Sequence, residues 1–170
     1  MTEPIQAFLS LGSNLGDPAS QIHSALKKMR NHPLISVERL SALYRTEPVD
    51  APGQSDFINC TVELFTNLNP ESLLAVCLEI EEQSGRIRSG KKNAPRTLDI
   101  DIIFYGDVQL DTNTLRIPHP RYMNRRFVLE PLAEIAPNFI CPDTGFTSAE
   151  ALNRCGDRSR VELLESEVLA

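Results

Sequence analysis

Two dipeptides of one kind, Asp17-Pro18 and Asn69-Pro70, constrain this chain more than any other feature. Each joins a side chain that caps a helix to a proline that fits the first turn, where its missing N–H is not needed. Each also follows a run that reads as a strand. In residues 5–11, Ile5, Ala7, Leu9 and Leu11 alternate with Gln6, Phe8 and Ser10, until Gly12-Ser13-Asn14 breaks the run. In residues 57–66, Ile58, Cys60, Val62 and Leu64 share one face, and Phe57, Asn59, Thr61 and Glu63 share the other. Ile22, Ala25, Leu26 and Met29 then recur at helical spacing after the first start. Leu73, Leu74, Cys77, Ile80 and Glu81 do so after the second, and Gly85 supplies the stop.

The remaining elements fall around these two units. Residues 35–45 read as a strand, and 46–56 as a long polar loop with two prolines. A basic loop covers 86–98, a strand 99–105, a shorter strand 114–117 and a third helix 124–134, with Phe127, Val128, Leu132 and Ile135 apolar. Signals weaken beyond residue 146. The order β-α-β-β-α-β is the split β-α-β arrangement, so the expected class is α+β, a sandwich of helices on an antiparallel sheet. At 170 residues, with 41 % hydrophobic and 24 % charged side chains, one domain over 1–170 is expected. No apolar run approaches the ~20 residues of a membrane span, and residues 1–14 lack a secretory pattern, so a cytoplasmic location is expected.

The net charge of −6 disfavours a nucleic-acid partner, but the average hides an asymmetry. Nine of the 17 Lys and Arg residues lie between Arg86 and Arg126, with only four acids among them, leaving that window at +5 and the rest at −11. A basic centre on an acidic body points to a local anionic ligand. The four cysteines, Cys60, Cys77, Cys141 and Cys155, form no Cys-x-x-Cys pair. Zinc and dithiol chemistry therefore have no support, and buried apolar roles are expected.

Asp99-Ile100-Asp101 is the sharpest chemical feature. Residues two apart on a strand share a face, so both carboxylates project together, with Ile100, Ile102 and Phe104 expected opposite. Such a pair is costly unless a cation lies between them, and Mg²⁺ accepts one or two carboxylates plus phosphate oxygens. A solvated sheet face is the bland alternative. The adjacent loop holds Arg86, Arg88, Lys91, Lys92 and Arg96, and arginine forks suit phosphate. A solvated surface loop is again the alternative. The spacing Gly85-x-x-x-x-Gly90-Lys91 imitates a P-loop, but Lys92 replaces the required Ser or Thr, and the segment runs from helix to strand. Gly12-Ser13 with a later Asp-x-Asp resembles nucleotidyltransferases only weakly, since 87 residues separate them. His119 stands between Pro118 and Pro120, in a stiff turn. Arg125 and Arg126 at a helix start hint at a bound anion, because a basic start opposes the macrodipole. Phe57 beside Asn59 suits a flat polar heterocycle, although Phe57 alone also reads as core.

Together these residues resemble the 6-hydroxymethyl-7,8-dihydropterin pyrophosphokinases of folate biosynthesis. The family pattern of a basic residue, any residue, Gly or Ala, Pro, Arg, two residues, Asp-aliphatic-Asp and two aliphatics reads here as Lys92-Asn93-Ala94-Pro95-Arg96-Thr97-Leu98-Asp99-Ile100-Asp101-Ile102-Ile103. Leu11-Gly12-Ser13-Asn14, Tyr44-Arg45-Thr46, Phe57-Ile58-Asn59, Pro118-His119, Asn124-Arg125 and Phe127 agree in order, so the likeness covers about 5–145. It leaves 146–170 without a role.

The resemblance implies a ferredoxin-like core and a monomer that uses ATP and the pterin. Asp99 and Asp101 would hold two Mg²⁺ ions, with Arg86 and Arg96 completing the catalytic set. Arg86, Arg96, His119 and Arg125 would hold the triphosphate, and Arg88 would join the ATP side. Leu78 and Glu81 would also lie on the nucleotide side, and Ile102 would contact adenine. Phe57 and Phe127 would sandwich the pterin, Asn59 would bind its edge, and Thr46 and Val49 would line its pocket. Asn93 stands where many members have Trp, Pro120 where some have Tyr, and Glu47 where some have Pro. A nucleotidyltransferase and an RNA-binding module remain the competing classes.

Overall fold

The computed structural model describes residues 3–49, 53–85 and 98–164. Both expected caps form. Asp17 accepts the Ser20 N–H at 3.2 Å at the head of α1 (Pro18–Arg30), and Asn69 accepts the Ser72 N–H at 2.8 Å at the head of α2 (Pro70–Gln83). Gly85 ends α2 at φ +88°, a left-handed conformation that a side chain would strain.

The main sheet contains β1 (Ile5–Ser13), β2 (Ile35–Leu40), β3 (Tyr44–Thr46), β4 (Phe57–Thr66), β5 (Asp99–Tyr105) and β8 (Val161–Leu163). Its order is β5-β1-β4-β3-β8, antiparallel throughout, with β2 also pairing β4. This is the split β-α-β arrangement read from the sequence, extended at its C-terminus.

Three expected element bounds change. The single strand at 35–45 is two strands, lying end to end along one edge of β4. Ser41 fills the break: its N–H donates to Thr61 O at 2.9 Å, and its Oγ accepts the Thr61 N–H at 2.8 Å. The short strand at 114–117 is β7 (Arg116–Ile117), which pairs β6 (Leu110–Asp111) in a separate ribbon. The third helix, α3 (Arg126–Ile135), starts two residues later than expected, because a 3-10 turn (Tyr122–Asn124) precedes it.

The C-terminal segment has its own signal, a capping box. Thr147 Oγ1 accepts the Glu150 N–H at 3.1 Å, and Glu150 Oε1 accepts the Thr147 N–H at 3.1 Å, starting α4 (Ser148–Arg154).

Helices cover both faces of the sheet. On one face, Ile22, Leu26 and Met29 of α1 and Leu73, Cys77 and Ile80 of α2 pack on Leu9, Leu11, Cys60, Val62, Leu64, Ile100 and Ile102. On the other, Phe8, Ile103 and Phe104 lie under Tyr122 and the α3 residues Val128, Leu129 and Leu132. Phe104 meets the Tyr122 ring edge-on at 4.9 Å. The expectation that Phe104 shares a face with Ile100 and Ile102 is therefore wrong. The pairing of β1 with β5 slips between Phe8 and Leu9, so Phe8 faces Phe104 while Leu9 faces Ile102. Ile103 is the extra residue, and this bulge reverses the alternation after Ile102.

Candidate active site

β5 is an edge strand, and its first half carries both acids. Residues paired across strands project from the same face. Asp99 pairs with Gly12, and Gly12 pairs with Asn59, forming one row across β5, β1 and β4. Asp101, Ser10 and Thr61 form the next row. Two strand spacings put Asp99 and Asn59 roughly 10 Å apart. Gly12 between them has no side chain, and a Cβ there would collide with Asn59 Oδ1. The Asn59 amide therefore lies directly over Gly12, in space that any larger residue there would contest.

The outer edge of β5 is held by α2. Glu81 is 2 % exposed, and its Oε2 accepts the Ile100 N–H at 2.7 Å. A carboxylate thus satisfies the strand's outward N–H between the two acids. It also helps to raise the neighbouring Cys77 thiol to about 12, where burial is the main cause and Asp101 contributes. Cys77 is a buried, inert thiol, as its sequence position predicts.

Along the same edge runs a cleft of about 680 Å³. Asp101, Ile102, His119 and Leu74 line it, with residues 111–116 of the β6–β7 ribbon opposite. Three residues singled out in the sequence (Asp101, Ile102 and His119) therefore meet here. Leu78 lies one turn beyond Leu74 on α2 and is half-buried. Leu74 and the ribbon were not anticipated. Their signal is weak, since a two-residue strand pair resembles any turn until Thr112 Oγ1 is seen to accept the Leu115 N–H at 3.1 Å.

His119 Nδ1 accepts the Arg121 N–H at 3.1 Å. Burial pushes the imidazole down to about 4, Arg125 and Arg121 push the same way, and Asp99 opposes them. The ring is therefore neutral at physiological pH, with Nδ1 occupied and Nε2–H left as a donor.

The other predicted group lies across β4 and β3. Asn59 is 5 % exposed, and its Nδ2 donates to Thr46 Oγ1 at 2.7 Å. That bond fixes the amide, leaving Oδ1 toward Gly12. Phe57 is half-buried and Val49 is exposed. Phe127, on the first turn of α3, packs beside the apolar cluster, and the Arg125 guanidinium lies 5.4 Å from its ring centroid. Arg125 thus joins the aromatic side to the His119 side. Arg86, Arg88 and Arg96 lie outside the described residues.

The hint of an external anion does not extend to Arg126. The anion at the start of α3 is the chain's own: Asp157 accepts the Arg126 N–H at 3.0 Å. The Arg126 side chain is taken by Glu130 and the Ser159 carbonyl, at 3.0 and 3.1 Å. The basic start is compensated from 31 residues away, which no local reading could reveal.

Comparison with known proteins identifies the family. The family model described as 7,8-dihydro-6-hydroxymethylpterin-pyrophosphokinase matches residues 8–137. The chain is 43 % identical over 148 residues to the 2-amino-4-hydroxy-6-hydroxymethyldihydropteridine pyrophosphokinase of Synechocystis, covering 87 % of this chain and 75 % of that one. It is 41 % identical over 160 residues to the Methylorubrum extorquens enzyme of the same name, covering 94 % and 99 %. Among solved structures, a Plasmodium falciparum HPPK-DHPS chain with pterin and p-hydroxybenzoate matches at a TM-score of 0.70 and 19 % identity. That match covers 91 % of this chain and 43 % of the Plasmodium one, so it speaks for the fold alone. The chain belongs to the 7,8-dihydro-6-hydroxymethylpterin-pyrophosphokinase family and is a pyrophosphokinase of folate biosynthesis.

Proposed function

We propose that this chain performs its family's reaction across the row Asp99, Gly12, Asn59. The hydroxymethyl oxygen of 6-hydroxymethyl-7,8-dihydropterin bonds to the β-phosphorus of ATP and releases its proton to solvent. The bond from that phosphorus to the α–β bridging oxygen breaks, and its electron pair leaves with AMP. The row carries the reading. A carboxylate suited to a phosphate–cation complex and an amide suited to a heterocycle edge share one face, two strands apart, with a glycine as the sheet residue between them.

ATP occupies the cleft along β5, with adenine against Ile102 and Leu78 further along α2. The triphosphate runs toward His119 Nε2–H and Arg125, joined by Arg86, Arg88 and Arg96 from the segment before β5. The pterin lies between Phe57 and Phe127. Asn59 Oδ1 accepts from its edge, and the backbone at Thr46 and Val49 closes its rim. Glu81 supports this side from α2, since its Oε2 accepts the Ile100 N–H between the acids.

Asp99 and Asp101 fit two Mg²⁺ ions by their donor chemistry. Among the described residues no three His, Cys, Asp or Glu side chains form an all-protein metal site. Two carboxylates suit ions that take their remaining ligands from phosphate and water. Bound there, such ions would neutralise charge on the transferring group. The chain contributes position and charge: two pockets set the approach, and the cationic side chains meet the developing phosphate charge.

The decisive experiment incubates the protein with ATP, Mg²⁺ and 6-hydroxymethyl-7,8-dihydropterin and identifies the nucleotide product. AMP with a pyrophosphorylated pterin is expected. Released pyrophosphate would instead indicate nucleotidyl transfer, ADP an ordinary kinase, and no turnover a binding module.

A further inference from the structure

The C-terminal segment contains a fastening that neither the reaction nor the core explains. β8 pairs with β3, setting Thr46 opposite Val161. Just before β8, Arg160 bonds both ends of the loop between β3 and β4. At the first end, the Glu47 N–H donates to Arg160 O at 3.1 Å, and the Arg160 N–H donates to Glu47 Oε1 at 2.5 Å. At the second end, Arg160 Nη2 donates to Asp56 Oδ2 at 2.9 Å. Glu47 directly follows Thr46, and Asp56 directly precedes Phe57. One residue, more than 100 positions away in sequence, therefore grips the neighbours of two side chains assigned to the pterin pocket.

We propose that Arg160 is a positioning residue for the pterin pocket. It holds Thr46 and Phe57 at the separation that lets Asn59 and the aromatic ring meet one heterocycle. The proposal rests on the pterin reading above. Arg160 touches no reacting atom; it acts through Glu47 and Asp56. Its Glu47 contacts are backbone-anchored and follow from β8 pairing, whereas the Asp56 contact depends wholly on the guanidinium. Asn14 Nδ2 supports the same loop end from the β1 side, donating to Gln54 Oε1 at 3.0 Å and to Ser55 O at 3.3 Å. Removing the guanidinium therefore loosens Asp56 and Phe57 without unfolding the loop. Arg160 and Asp56 are 46 % and 31 % exposed, and an ion pair at such exposure adds little to global stability. A structural role alone would move neither KM.

The test compares Arg160→Ala, Arg160→Lys and Asp56→Asn with the unaltered protein, measuring kcat and the KM of each substrate separately. KM for 6-hydroxymethyl-7,8-dihydropterin is expected to rise about tenfold in Arg160→Ala and Asp56→Asn, with KM for ATP unchanged. Arg160→Lys, which keeps one charged donor, should recover part of the loss. Thermal unfolding of each variant identifies any that fails to fold, and Asp56→Asn then carries the test, since it removes the same charge contact from the other side. A pterin KM within about twofold of the unaltered protein, or equal rises for both substrates, would overturn the positioning role. Failure of the unaltered protein to form AMP from these substrates would instead overturn the pterin reading itself.

Discussion

The two halves of β5 face the same side of the sheet with opposite chemistry. In the first, Asp99 and Asp101 are half-buried at the sheet's edge, and Asp101 lines a cleft with His119. In the second, Ile103 and Phe104 are buried under Tyr122 and α3. One extra residue separates them. Without the bulge at Ile103, strict alternation would turn Phe104 toward α1 and α2 and leave the second cluster without a central ring. The bulge lets a seven-residue strand serve as site at one end and core at the other. Because core and site sit side by side on one strand, the strand's position is fixed by packing at one end and used for charge at the other.

Altering each half of β5 separately tells site from core. Asp99→Ala or Asp101→Ala should lower kcat at least about a hundredfold, as expected for loss of a group that stabilises transition-state charge. The melting temperature should hold or rise, since a like-charge repulsion is removed. Near-normal turnover in either variant would sink the metal assignment. Phe104→Ala, a few residues along, should do the reverse. Phe104 is fully buried, so its loss should cost about 3–5 kcal/mol in denaturant unfolding. The fraction still folded should retain its kcat. A large kcat loss at unchanged stability would mean that the halves are not separable.

Smaller changes probe the strip between acid and amide. Gly12→Ala places a methyl group against Asn59 Oδ1 and should raise the pterin KM about tenfold, leaving the ATP KM alone. An unchanged pterin KM would show that the placement of the Asn59 amide over Gly12 is not used. The mildest test is a pH titration. His119 sits at about 4 in the fold against an ordinary 6.5. Between those values the unfolded chain binds a proton that the folded chain refuses, so stability falls as pH drops from 6.5 toward 4. His119→Asn, which retains an acceptor for the Arg121 N–H, should flatten that stretch of the Tm profile. An identical slope in the variant would exclude His119 as its source.

Much of the fold was legible because its signals are short-ranged. Asp17, Asn69 and Gly85 act within one turn of where they stand, and alternation in β1 and β4 names its own buried face. The acids were legible for the same reason, since two residues two apart on a strand must project together. Less was legible where partners lie far apart in sequence. Ser41 split the expected strand by bonding to Thr61, and nothing around Ser41 announces that. The Thr147–Glu150 capping box was present and local, but its weak surroundings concealed it.

By itself, the sequence determined the elements, their order, the paired acids and the family likeness, because caps, strand periodicity and contiguous motifs are properties of neighbouring residues. Only the tertiary structure decided which face Phe104 takes, that Glu81 serves the strand between the acids, that Asp157 is the anion at α3, and that Gly12 must be bare. Each of these depends on two segments meeting after the chain has closed on itself. The free energy of such a meeting lies in contacts between segments, which neither segment encodes alone.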